Sequence, residues 1–276
     1  MGLMIIFILV VLGLALGSFV NALVWRIHEQ DKSKKPSRKL SVLHGRSMCP
    51  NCGHELKAVD LVPVFSWLAL NGKCRYCKKP ISYQYPLVEV ITAVAFVASY
   101  IWWPYLFTPW QKVLFLLWLL IVTGLMALLV YDMRWKLLPN RIMYPLAGLA
   151  AAYGLISACT ADDVPKALLN LVLAVALGGG IFYVLFQVSG GKWIGGGDVK
   201  LGWLLGLLVG TPAKAILFIF LASLLGTAVT APLLATKKLT RTSTIPFGPF
   251  LIVAAFLVVL FGSSFLNWYS GTFLGY

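Results

Sequence analysis

Two carboxylates in this chain sit where carboxylates are costly. Asp132 lies in "LLVYDMRWKLLPNR" and Asp198 in "WIGGGDVKLGW", each at the border of a long apolar run. Ionisable residues inside or at the ends of such runs are functional candidates by default. Glu89 is the third of this kind. The other acids (Glu29, Asp31, Glu55, Asp60, Asp162 and Asp163) fall in polar segments or at their edges. Two carboxylates at close range do not both ionise easily, so one keeps a proton. The ionised one is then a base for water, and the other polarises a scissile carbonyl. That is aspartic-peptidase chemistry, and it needs neither a metal nor a nucleophilic side chain. The plainer alternative is an ion pair at a membrane boundary, Asp132 with Arg134 or Lys136 and Asp198 with Lys200.

The residues around Asp198 suit a peptide substrate. Gly195, Gly196 and Gly197 let a backbone approach closely and permit dihedrals closed to other residues. They are expected to unwind the helix start, so that Asp198 reaches water. Lys200 marks the boundary and tunes the carboxylate. With the glycines and Glu89, it completes the set of expected substrate contacts. A phosphate loop does not fit, because no G-K-[ST] follows and a central carboxylate repels phosphate.

A second constellation is "CPNC" at 49–52 and "CRYC" at 74–77, the pattern C-x2-C-x21-C-x2-C. Two close pairs at this separation are the signature of a four-thiolate zinc site with ligands Cys49, Cys52, Cys74 and Cys77. A closed site of this kind is structural, and in a polar segment this short the metal supplies much of the folding energy. The alternative is two disulfides, which a reducing compartment disfavours. His44 and His54 lie nearby as alternative ligands. Cys159, isolated in an apolar run, reads as a core thiol.

These groups need elements to hold them. The chain has 276 residues, 60% hydrophobic and only 12% charged, with a mean hydropathy of +0.87. That is far more apolar than a soluble domain. Apolar runs cover about 3–25, 85–103, 111–131, 141–159, 167–188, 199–211, 214–235 and 247–266. The expected fold is an all-α polytopic membrane protein of about eight transmembrane segments, with a small cytoplasmic zinc-binding domain between the first and second. The run at 199–211 is short for a span and suggests a half-helix. The first run reads as a retained helix rather than a cleaved signal. The organisation is a first transmembrane helix at 1–25, the four-cysteine domain at 26–83 and a transmembrane domain of about seven segments at 84–276.

Charge sets the orientation. With 26–83 placed in the cytoplasm, 20 of the 23 Lys and Arg fall on the cytoplasmic side, leaving Lys112, Lys166 and Lys214 outside. This split is a positive-inside signal and puts the N-terminus outside. It also places Asp132 and Asp198 at the cytoplasmic face, where they can meet if the third and sixth apolar helices are neighbours. The net charge of +14 is therefore a topology signal, and nucleic acid is not an expected partner.

Several stretches together resemble the type IV prepilin peptidases. They are "GSFVNALVWR", the cysteine segment "CPNCGHELKAVDLVPVFSWLALNGKCRYCKKPISYQYPLVE", the Asp132 segment ending "LLPN", "GGGDVKLG" and "IPFGPFL". The similarity runs in order from about residue 16 to about residue 255. It implies a G-x-G-D aspartic membrane peptidase in the bacterial cytoplasmic membrane with Asp132 and Asp198 as the catalytic pair. It also implies prepilin or pseudopilin substrates of a pilus, secretion or competence system, cut after a Gly. Methylation of the new N-terminus with S-adenosylmethionine follows from the same resemblance, which ties the cysteine domain to that activity. Glu89 is the residue expected to serve the cofactor or the substrate amine. Unlike many members, this chain has no second acid near Asp132, and Asn140 follows the proline. The alternatives are a transporter and a zinc-organised scaffold without peptidase activity.

Overall fold

The structure is a computed structural model that describes residues 2–32, 41, 45–236 and 245–274. His44 and the basic residues Lys237, Lys238 and Arg241 lie outside the described residues. Secondary structure among the described residues is helical, with no strand longer than an isolated bridge. The α-helices are α1 (Gly2–Lys32), α2 (Phe65–Ala69), α3 (Gln84–Ile101), α4 (Pro109–Trp135), α5 (Asn140–Cys159), α6 (Val164–Ser189), α7 (Gly196–Val209), α8 (Pro212–Ala235) and α9 (Gly248–Tyr269). Seven of them are long and apolar enough to cross a membrane. The exception among the apolar helices is α7: its 14 residues span about 21 Å, short of a hydrocarbon core of about 30 Å.

Helix boundaries follow local chemistry. Thr108, Asp163 and Thr211 cap α4, α6 and α8, each side-chain oxygen accepting from the backbone N–H three residues on, and a proline opens each helix. At the C-terminal ends of α4, α6 and α7, Lys136, Gly190 and Gly210 take the left-handed conformation that stops a helix.

The chain forms two compact units, Met1–Ile101 with Val122–Val130, and Trp102–Ile121 with Tyr131–Tyr276. In the first unit α1 lies along α3. Gly13 and Gly17, four residues apart, make the approach: a Cβ at these positions would fall 2.5 Å from Ala93 Cα and 2.6 Å from Glu89 Cα. Small residues at this spacing let helix backbones touch where lipid provides no hydrophobic drive. Asn21 secures the end of the pair, donating to the Tyr85 carbonyl at 3.0 Å and accepting from Gln84 at 3.3 Å.

The second unit is built around α7, whose main backbone neighbours are α5, α6 and α9. Its buried residues cover more than half of its circumference, and the remaining face carries Lys200, Trp203 and Leu207. Gly202 and Gly206 abut Gly178 and the Ala174 carbonyl of α6, and Trp203 lies directly over Gly179. On α5, Gly154 abuts the Leu207 carbonyl, where a Cβ would stand 2.8 Å away. The two carboxylates can meet, as the sequence reading required: the ends of α4 and α7 bring Asp132 within electrostatic reach of Asp198. Cys159, expected in the core, is exposed at the end of α5.

Candidate active site and metal centre

Asp132 occupies the last turn of α4. Its carbonyl accepts from the Lys136 N–H at 2.8 Å, closing the helix where Lys136 turns left-handed. The residue is 5% exposed. Its Oδ2 is buried and has no hydrogen-bond partner among the described residues. The Gly248 amide at the start of α9 lies close, short of a well-formed hydrogen bond. A Cβ on Gly248 would stand 2.6 Å from Oδ2 and 3.6 Å from Leu201 of α7. Asp132, Gly248 and Leu201 thus share one small volume.

Asp198 is the third residue of α7, one turn before Leu201. Its N–H donates to the Gly195 carbonyl at 3.0 Å. A carboxylate in the first turn faces the positive end of the helix dipole, which favours the anion. Asp198 and Asp132 lie within electrostatic reach of each other. The segment after α4 reaches the same place: a Cβ on Gly197 would meet Leu138 at 3.1 Å.

The boundary ion pairs do not form. Among the described residues neither Asp132 nor Asp198 takes part in a salt bridge. Arg134 stacks over Trp135 at 5.0 Å. Lys200 donates to Asn140 Oδ1 at 2.9 Å and lies over the Tyr144 ring. Lys200 is therefore turned toward α5.

The glycine triplet differs from expectation in one respect. Gly195–Gly197 neither unwind the helix nor use positive φ: Gly195 is an extended N-cap and α7 starts at Gly196. The left-handed glycines are Gly190 and Gly191, which turn the chain out of α6. The triplet serves space instead. Gly195 and Gly196 are exposed beside Asp198, while Gly197 admits Leu138. Gly248 was not singled out for this site. Its sequence signals are its place in the "IPFGPFL" stretch, between Phe247 and Pro249, and the apolar run that follows.

The four cysteines converge in the first unit. The Sγ atoms of Cys49, Cys52, Cys74 and Cys77 all lie within 4.8 Å of one another, and none is in a disulfide. Four thiolates about 2.3 Å from a tetrahedral zinc stand about 3.8 Å apart, and the Cys49–Cys77 separation is 4.0 Å. The cluster can hold a zinc ion. Two matching turns build it. The N–H of Cys49 donates to the His54 carbonyl and that of Cys74 to the Lys79 carbonyl, at 3.0 and 2.9 Å. Gly53 and Lys78, each directly after the second cysteine of its pair, both have positive φ, 68° and 58°. Burial raises the Cys74 thiol, but the amides of Cys77 and Tyr76 and the neighbouring thiols outweigh it and bring it down to about 7. His54 stacks on Tyr76 with ring centroids 3.7 Å apart. Tyr76 and Arg75 both donate to Asp60, at 3.0 and 2.6 Å.

Glu89 is buried on α3 and lines the same cleft of the first unit as Cys49 and Cys74. Its Oε2 accepts from the Val64 N–H at 2.7 Å, and the Ser18 hydroxyl lies beside it.

The chain is similar to known proteins along nearly all of its length. Residues 11–103 match the bacterial peptidase A24 N-terminal domain, and residues 114–231 match the type IV leader peptidase family. A prepilin leader peptidase/N-methyltransferase of Stutzerimonas stutzeri is 31% identical over 91% of this chain and 89% of its own. The proteins of that name from Pseudomonas aeruginosa and Bacillus subtilis are each 32% identical, covering 94% and 97% of this chain and 91% and 99% of their own. No solved structure matches the chain.

Proposed function

The chain belongs to the type IV leader peptidase family, and from that membership we propose a membrane aspartic endopeptidase that trims prepilins or pseudopilins and methylates the new terminus. Asp132 and Asp198 are the catalytic pair. The observation that carries this assignment is Asp132 itself, a buried carboxylate with one oxygen unpartnered and a second carboxylate in reach. A stabilising salt bridge would have left neither feature.

One carboxyl of the pair holds the shared proton and hydrogen-bonds the carbonyl oxygen of the scissile peptide. The other accepts a proton from water as the water oxygen attacks the carbonyl carbon. Collapse of the tetrahedral adduct passes a proton to the leaving amine. Gly195 and Gly196 leave the rim beside Asp198 free of side chains, and an extended substrate backbone fits there. The cut falls after a glycine that ends the short basic leader.

The charge split supports a cytoplasmic position for the cysteine domain and the dyad, with the N-terminus outside, in the bacterial cytoplasmic membrane. Zinc on the four cysteines has no open position and stabilises that domain. S-adenosylmethionine supplies the methyl group when bound. The transporter and scaffold readings gain no support from the relatives.

The test is co-expression with a tagged prepilin and measurement of the leader by gel mobility. Asp132→Asn and Asp198→Asn are each expected to abolish processing. Intact cleavage in both variants would refute the dyad.

A further inference from the structure

A methyltransferase must hold a methyl donor, and the first unit contains a cleft suited to one. The cleft encloses about 970 Å³, its open mouth included. Trp25 and Arg26 of α1, Trp67 of α2, and Tyr85 and Glu89 of α3 line it. Glu89 is 6% exposed and takes part in no ion pair among the described residues. A buried carboxylate without a cationic partner is costly and asks for one.

The backbone around Glu89 is built to hold it. Val64, which donates to its Oε2, has φ 62° and ψ −52°. The Phe65 N–H donates to the Pro63 carbonyl at 2.6 Å across it. This is a γ-turn of the rare, strained hand, here centred on a β-branched residue. Strain of this kind persists at ligand clamps and active sites, where the surroundings over-determine it. From the other side, the close crossing at Gly17 brings Ser18 against Glu89.

We propose that this cleft binds S-adenosylmethionine, with Glu89 facing the cationic sulfonium end and Trp25, Trp67 and Tyr85 flanking the adenine. The inference rests on the methyltransferase reading above. Sulfonium and adenine both suit an aromatic wall beside a carboxylate. The cleft of about 680 Å³ in the second unit does not suit them. It is lined by Lys214, Tyr105 and Tyr153 and has no carboxylate in its wall, so a cationic donor is disfavoured there. In the transfer, the neutral terminal amine attacks the methyl carbon and the carbon–sulfur bond breaks with its electron pair going to sulfur. The nitrogen then releases one proton to solvent, leaving S-adenosylhomocysteine and the methylated terminus.

The test uses the full chain in nanodiscs and measures binding of S-adenosylmethionine and of S-adenosylhomocysteine, which lacks the sulfonium charge. Glu89→Gln is expected to weaken the first by about ten- to a hundredfold and the second much less. Trp25→Leu is expected to weaken both ligands alike, which keeps the test open if Glu89→Gln fails to fold. A photoreactive adenosyl donor should label peptides containing Trp25 or Trp67. If the wild type binds the donor while both variants bind equally well and the label falls elsewhere, the cleft assignment is overturned and methylation stands. If the wild type neither binds the donor nor methylates processed pilin, the methyltransferase reading falls and takes this site with it.

Discussion

Gly248→Ala should cripple cleavage without unfolding the protein. The new methyl would stand 2.6 Å from Asp132 Oδ2 and 3.3 Å from its Cγ. Ordinary contact begins at 3.4 Å, so the carboxyl must retreat by about 0.8 Å or rotate away. A carboxyl is the free end of a side chain, and moving it costs little stability. Its chemistry is far less tolerant, since a misplacement of about 1 Å costs on the order of a hundredfold in rate. The expected loss is therefore about ten- to a hundredfold in turnover, equal to about 1.4–2.7 kcal/mol of transition-state stabilisation. The assay is single-turnover cleavage of a purified prepilin in detergent, with thermal unfolding measured alongside. Gly226→Ala is the control: its added methyl would meet only Phe250 and Phe247 at 3.6–3.8 Å, and its activity should be unchanged. Full activity in Gly248→Ala, with an unchanged unfolding temperature, would show that the position of Asp132 against α9 does not matter to the reaction.

Three further outcomes follow from the cysteine domain. Cys74→Ser should lose about one zinc per chain by metal analysis and leave residues 45–83 open to protease, because structural zinc contributes folding energy directly. Lys78→Gly should stabilise this domain by about 1 kcal/mol, because a non-glycine residue at positive φ carries a steric cost of about 1–2 kcal/mol; a thermal-melt comparison reads it. Asp60 gives the domain an acid limit. Burial would raise its carboxyl, but hydrogen bonds from Arg75, Tyr76 and the Lys57 amide outweigh it and hold it below the usual carboxylate value. A depressed folded-state pKa contributes stability above the unfolded value of about 4, lost as pH falls through the folded value. Asp60→Asn should flatten that acid limb in a pH series of unfolding midpoints.

The sequence carried the helices well because their signal is length and hydrophobicity. The run at 85–103 became Gln84–Ile101, and the short run at 199–211 became Gly196–Val209. The cysteine cluster was legible because each pair is held by its own turn and needs only one long-range meeting. The role of the Gly195–Gly197 triplet was half legible. Composition announces glycine, but only neighbours in space tell whether it serves a dihedral or a contact. Gly190 and Gly191 serve the first and Gly197 the second. The approach of Gly248 to Asp132 was invisible, since it depends on where α9 begins relative to the end of α4, more than a hundred residues earlier. The strained turn at Val64 gave no warning either, because "VPVF" reads as an ordinary extended stretch.

The crossing of α6 and α7 has a consequence for how Asp198 is located. At Gly202 and Gly206 the contact is chiefly backbone against backbone, with the Phe182 ring of α6 wedged against Gly202. The crossing is therefore a fixed datum from which the rest of α7 is measured. Asp198 stands four residues from Gly202, about 6 Å along the axis and close to one full turn. Its depth and bearing are set by counting covalent steps from that datum. One residue inserted between them would raise the carboxylate by about 1.5 Å and swing it by about 100°, with every contact below the crossing left intact.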